Sequence, residues 1–186
     1  MRKLVSQFNL GLTFFNGEEV NQDYKKAFKW WSLAAEKGYA KAQTGLGSLY
    51  FNGHGVEQDY QKAVKWLLLA AEQGEPTAQY NLGVIYEEAK GVAKDYKEAA
   101  KWLEKAANQD EALAQLGLGA MYQHGKGVNQ DKIEAHKWFN IAKENGLEEG
   151  MKNMELIEKE LTPNELAKAN KLAKMWLDNR GKLSNF

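Results

Sequence analysis

Leu10, Leu46, Leu82 and Leu118 stand 36 residues apart, and a glycine follows each of them at Gly11, Gly47, Gly83 and Gly119. The same interval separates Trp30, Trp66, Trp102 and Trp138, and also Asp23, Asp59, Asp95 and Asp131. Ala27, Ala63, Ala99 and Ala135 keep step, as do Val20, Val56, Val92 and Val128. Six columns held in one register through four copies, with no insertion, define a tandem array. Units this short fold by stacking, because one alone cannot cover both of its apolar faces. The frames run over about 2–37, 38–73, 74–109 and 110–145, and 146–186 leaves the register as a helical cap, all within one domain spanning 1–186.

Each unit reads as two helices. In the second, Ala42, Leu46, Leu49 and Tyr50 recur at helical spacing and share one face. NGHGVEQD then interrupts the pattern, with Gly53 and Gly55 supplying the positive φ that a tight reversal needs. Asp59 is placed to accept hydrogen bonds from the first free N–H groups of the next helix. Asp95 with Glu98, and Asp131 with Glu134, have capping-box spacing. Ala63, Trp66, Leu67, Ala70 and Ala71 form the apolar face of the second helix. Gly38, Gly74 and Gly146 stand where it ends, as left-handed residues, and Asp110 takes that place in the third copy as a poorer stop. Thr162, Pro163 and Glu165 make a full start signal for a closing helix.

A glycine inside a helix costs about 1 kcal/mol relative to alanine. The recurrent glycine after each leucine therefore implies a recurrent compensation, the close approach of a neighbouring backbone or a Trp ring. Tyr24, Tyr60 and Tyr96, with Lys132 closing the row, are read as repeat packing rather than a ligand-binding row, and the tryptophans as core.

Composition removes several classes. Lys+Arg and Asp+Glu are each 25 and the only arginines are Arg2 and Arg180, so the footprint of a nucleic-acid binder is missing. Without cysteine there is no disulfide framework, thiolate metal site or thiol nucleophile. Apolar runs such as 66–71 are far too short to span a bilayer, so no membrane partner is expected. The opening MRKLVSQFNL has no apolar stretch of signal-peptide kind. The cytoplasm is the expected compartment, with the periplasm or exterior following if an upstream signal has been removed.

The run from Ala42 to Gly74, A-x₃-L-G-x₂-Y-x₂-G-x-G-V-x-Q-D-Y-x-K-A-x-K-W-x₃-AA-x-x-G, resembles the Sel1-like repeat, a relative of the tetratricopeptide repeat with a longer inter-helix loop. The resemblance covers residues from about 2 to 150, and the tail is similar to the closing helix found after such arrays. It implies an all-α fold, a right-handed α-solenoid of four helix-turn-helix repeats with C-terminal capping helices. It further implies a protein-binding scaffold or adaptor, mostly bacterial or in eukaryotic quality-control assemblies, and no shared substrate or reaction. Two departures stand out. Ala89 replaces the first loop glycine in the third copy and Glu19 the second in the first copy, so these loops are expected to be reshaped. The first copy also lacks a preceding helix over its open edge.

The search for chemistry finds no catalytic constellation. His54, His124 and His136 fall in three different columns and read as surface or core-edge residues. There is no nucleophile elbow, P-loop or HExxH motif. Glu87-Glu88 and Glu148-Glu149 read as solvated helix surface. No catalytic residue, metal or cofactor is expected.

Function should then sit where the copies differ. By resemblance to tetratricopeptide arrays, the first helix of each unit lines a concave groove. The expected partner-binding residues are Phe8, Leu12 and Phe15 in copy one, and Thr44, Ser48 and Phe51 in copy two. Copy three gives Tyr80, Val84, Glu87 and Glu88, and copy four Leu116, Gln123 and His124. Phe8, Leu12 and Phe15 fall at i, i+4 and i+7, one apolar stripe that serves either as groove or as packing against another helix. The leading reading is a non-enzymatic scaffold that binds a protein or peptide in this groove, in the manner of a bacterial regulator or an effector-immunity protein. Two readings compete with it. The resemblance includes a few weak β-lactam-binding or -hydrolysing proteins, but Ser6, Ser32, Ser48 and Ser184 all lack S-x-x-K spacing. The other is a self-assembling module, the chain being a monomer or a weak dimer through its N-terminal helix.

Overall fold

A computed structural model describes residues 1–17 and 20–183, with side chains through 180. Among them are ten helices and no strand. They fall into two compact units, Met1–Lys94 and Asp95–Phe186. The first holds α1 (Arg2–Asn16), α2 (Tyr24–Ala35), α3 (Ala40–Asn52), α4 (Tyr60–Glu72) and α5 (Pro76–Glu88). The second holds α6 (Tyr96–Ala107), α7 (Ala112–His124), α8 (Lys132–Glu144), α9 (Glu148–Glu158) and α10 (Pro163–Leu183). The leucine-glycine column lies on α1, α3, α5 and α7, and the tryptophan column on α2, α4, α6 and α8.

Local chemistry sets the helix ends. Asp23, Asp59, Asp95 and Asp131 take extended backbone and accept from the first free N–H groups of α2, α4, α6 and α8. The box expected of Asp131 with Glu134 does not close, because Asp131 N–H donates to the Tyr122 carbonyl at 3.0 Å; the Glu134 carboxylate pairs with Lys137, as that of Glu98 does with Lys101. Thr162 and Glu165 exchange bonds in a full box, Thr162 N–H donating to the carboxylate at 2.8 Å. Asp110 adopts φ 64°, doing what Gly38, Gly74 and Gly146 do in the other copies.

The expected reshaping of the third loop does not occur. Ala89 enters the left-handed region at φ 60°, ψ 38°, and Lys90 N–H still donates to the Ile85 carbonyl, as His54 does to Leu49. Gly91 behind it packs against Tyr60, and a methyl there would lie 2.7 Å from Tyr60 Cβ. Glu19 lies outside the described residues.

The helix glycines have the compensation that their column implies. A methyl on Gly47 would meet Leu67 at 2.7 Å, and one on Gly119 would meet the Phe139 ring at 2.6 Å. On Gly11 it would overlap the Trp31 ring. The residue that seats on the glycine is thus the one after the tryptophan column, and a Trp ring serves only in copy one. Trp31, Trp102 and Trp138 are buried, whereas Trp30 and Trp66 are only half-buried. The tyrosine row is packing: methyls on Gly55 and Gly91 would collide with the backbone of Tyr24 and Tyr60.

Within the first unit the core gathers Trp31, Ala34, Ala35, Ala42, Leu46 and Leu49. Each fully buried leucine contributes about 2 kcal/mol of apolar transfer. Within the second, Ala135, Phe139 and Ile157 join α8 to α9. The tail helix α10 packs on α8, with the Trp176 ring edge-on to Trp138 at 5.7 Å.

A column absent from the sequence reading carries joints between successive repeats. Gln43, Gln79 and Gln115 are buried, and each donates from Nε2 to the carbonyl eight residues earlier, that of Ala35, Ala71 and Ala107, at 3.1–3.2 Å. Gln7 heads the column, but its buried Oε1 has no partner. Leu10 is likewise 37% exposed where Leu46, Leu82 and Leu118 are buried, because no described helix covers that face of α1.

Candidate binding groove

In the first unit the exposed faces of α1, α3 and α5 form two adjoining clefts. The first is lined by Phe8, Leu12 and Phe15 from α1, Trp31 from α2, Lys41, Thr44, Gly45 and Ser48 from α3, and Glu75 and Thr77 at the start of α5. The second is lined by Ser48, Phe51 and Asn52 from α3, Leu67 from α4, and Tyr80, Asn81, Val84 and Ile85 from α5. Ser48 belongs to both.

The stripe Phe8–Leu12–Phe15 divides its labour. Phe8 stacks over Trp31 at 6.0 Å and meets Tyr39 edge-on at 5.5 Å. Phe15 lies 5.2 Å from Trp31 and 5.4 Å from Tyr24. Both therefore belong partly to the core, and the Trp31 indole donates to the Phe8 carbonyl at 3.0 Å. Leu12 projects between them, 38% exposed. Glu75 braces the cleft floor by accepting from Ala78 N–H at 2.8 Å and from the Thr44 hydroxyl at 3.1 Å, which ties α3 to α5.

Eight of the expected groove residues thus line these clefts: Phe8, Leu12, Phe15, Thr44, Ser48, Phe51, Tyr80 and Val84. Glu87 and Glu88 do not line them. Glu88 pairs with Lys90 at 2.8 Å, and this carboxylate holds the ammonium above the ordinary lysine range. Lys90 also sits over the Phe51 ring at 5.2 Å. In the second unit Leu116 packs against the α8–α9 core cluster, Gln123 gives its carbonyl to Gln130, and His124 is exposed at the end of α7. Lys41, Asn52 and Thr77 line the clefts as well, and Trp31, Gly45, Leu67, Glu75, Asn81 and Ile85 were missed. The usable signal was a comparison of copies: Trp31 against Leu67, and Gly45 against Asn81, are the same columns filled differently.

The histidines separate. His54 stacks on Tyr24 at 4.4 Å between ring centres. His136 is not at a surface or core edge. It is fully buried, and its Nε2 lies 3.0 Å from Glu158 Oε1 on α9. Its Nδ1 is buried with no hydrogen-bond partner among the described residues. Phe28, Val64 and Ala100 hold this column in the other copies, so His136 is a fastening for α9 rather than part of the clefts. Among the described residues, no cluster of three or more His, Asp or Glu could hold a metal, and no helix is long and apolar enough to cross a membrane.

Helical hairpins repeated at a fixed step, with a glycine notch between the two helices of a hairpin and a glutamine joint to the preceding one, make this an α-solenoid-type repeat protein. The Sel1 repeat family model matches residues 4–39, 40–75, 76–111 and 112–147, and the chain belongs to that family. Its frames open two residues after those read from the sequence. A Sel1 repeat protein from Oxalobacter formigenes is similar at 34% identity and TM-score 0.79, over 97% of this chain and 73% of that one. A protective antigen of uropathogenic Escherichia coli with the same repeat fold matches at 31% identity and TM-score 0.65, over 94% of this chain and 45% of its own. This chain therefore spans under half of that protein's length. Helicobacter pylori cysteine-rich protein B matches at 31% identity and TM-score 0.56, over 73% of this chain and 97% of that one. No curated protein matches the chain.

Proposed function

We propose that this chain is a non-catalytic scaffold that holds a segment of a partner protein along the clefts of α1, α3 and α5. One observation carries the reading: eight residues chosen for varying between copies converge on two adjoining clefts, while the constant columns are consumed by notches, caps and joints. Leu12 and Val84 supply apolar contact, and Lys41 and Glu75 frame it with one charge of each sign. Such a mixed rim favours a polypeptide with apolar anchors over a uniformly charged polymer.

Site-specific photocrosslinking tests this. A photoreactive residue replaces Leu12, Val84 or, as control, Leu69, which is 40% exposed on α4. The same partner should crosslink from positions 12 and 84 and not from 69. Equal capture from 69 would overturn the reading.

A second reading is self-association through α1, favoured by the exposed Leu10. Light scattering against concentration tests it. A mass that stays monomeric, or that is indifferent to Leu10→Glu, removes it.

A further inference from the structure

The two clefts differ in how their floors are filled. In the first, the Trp31 indole occupies the slot between α1 and α3, pressed against Gly11 and Gly45, and a methyl on Gly45 would lie 2.7 Å from the ring. In the second, the smaller Leu67 stands in the tryptophan's column and is drawn down onto Gly47. A cavity of about 230 Å³ opens beside it. Asn81, the counterpart of Gly45, stands on its wall. Asn81 is half-buried and forms no side-chain hydrogen bond with any described residue.

We propose that this slot is a subsite for one aliphatic side chain of an extended peptide, with Asn81 pairing to the adjacent peptide group. The inference rests on the groove reading above and names the chemistry that the groove selects. The volume falls below the roughly 300–1,000 Å³ of sites that enclose a drug-sized ligand, so a single side chain is the matching load. Phe51, Leu67, Val84 and Ile85 make the walls apolar, and no ionisable carboxylate or ammonium lines the slot, which disfavours a charged side chain. A carboxamide carries donors and an acceptor side by side, the complement of a peptide N–H and C=O. In an apolar cleft an unpaired amide stays hydrated, and a peptide group replaces that water at little cost.

The test is titration of ¹⁵N-labelled full-length protein with N-acetyl-leucine N-methylamide, followed by NMR. Saturable shifts should appear at Ser48, Asn81 and Val84. Two analogues each replace one N–H of the probe by oxygen. At least one should bind about tenfold more weakly, as expected for one lost hydrogen bond. Asn81→Leu should abolish that difference while leaving the spectrum folded. The double variant Leu67→Trp with Asn81→Gly rebuilds the copy-one pair and should lose the response. If that variant unfolds, Asn81→Leu alone decides. No saturable shift up to about 50 mM probe, the millimolar end of measurable affinity, or equal binding of the probe and both analogues, overturns the proposal. If crosslinking from positions 12 and 84 persists in such a case, the subsite fails and the groove stands. If both vanish, the groove fails with it.

Discussion

The side-chain amide of Gln115 donates to the carbonyl of Ala107 at 3.1 Å, and both groups are out of reach of water. Asn145 completes the joint by donating to Gln115 Oε1 at 2.8 Å, as Gln73 does to Gln43 at 2.7 Å. A buried carbonyl at the end of one helix is thereby satisfied by the next repeat. In copy one, Lys37 stands in the column of Gln73 and Asn145, and Gln7 Oε1 remains unpartnered.

Gln115→Leu should therefore cost about 1–3 kcal/mol, the penalty for orphaning a buried acceptor. Gln7→Leu should change stability by less than about 0.5 kcal/mol. Urea midpoints at constant m-value measure both. Equal losses would show that the column works through packing volume rather than hydrogen bonding.

Gly119→Ala and Gly74→Ala separate packing from backbone strain. At Gly119 an added methyl meets Phe139 at 2.6 Å, which should cost about 1–3 kcal/mol by overpacking and outweigh the helix-propensity gain of about 1 kcal/mol. Trimming Phe139 to leucine should recover part of that loss. At Gly74 nothing lies within 4 Å, but φ is 89°, so its loss should be insensitive to every neighbour tested. Double-mutant cycles against Phe139 are the check.

Ala89→Gly should stabilise the chain by up to about 1 kcal/mol. The left-handed conformation at φ 60° costs an L-residue about 1–2 kcal/mol, and the greater freedom of glycine when unfolded returns about half of that. A rise in thermal midpoint is expected. A fall would mean that the Ala89 methyl contributes contacts that outweigh the strain.

The capping carboxylates predict an acid limb. Backbone N–H donation from Lys26 and Lys62 lowers the pKa of Asp23 and Asp59 below the ordinary value of 3.8. Groups lowered on folding stabilise fully above their unfolded pKa, and that contribution is lost as pH falls from there through the folded value. Stability should thus be flat near pH 6 and decline below about pH 4, where unfolded aspartate titrates. Asp59→Asn keeps a competent cap but cannot titrate, so its midpoint-versus-pH curve should be shallower on the acid side. A parallel curve would remove Asp59 from the acid limb.

Repetition made most of the fold legible. The eight helices of the repeats, the four capping aspartates and the glycine notches follow from columns that recur every 36 residues, because equal neighbours impose equal constraints on each copy. Individual partners were less legible. The leucine-glycine column announced a close approach, but only coordinates show that Leu67 and Phe139 make it while the aligned tryptophans of copies one and two stay half-buried. The site was half legible for a related reason. Phe8 and Leu12 look alike in a helical stripe, yet the Trp31 ring claims Phe8 and leaves Leu12 projecting.

Register, helix ends and family were determined by the sequence alone, since capping and packing periodicity act over a few residues and repeat in every copy. Tertiary structure decided which apolar groups face water and where space remains. Whether Trp31 or Leu67 fills a slot depends on side-chain volume measured against two other helices, and no stretch of chain contains that comparison within itself. The same holds for His136, whose column is apolar in every other copy and whose partner Glu158 arrives 22 residues later on a helix outside the repeat register.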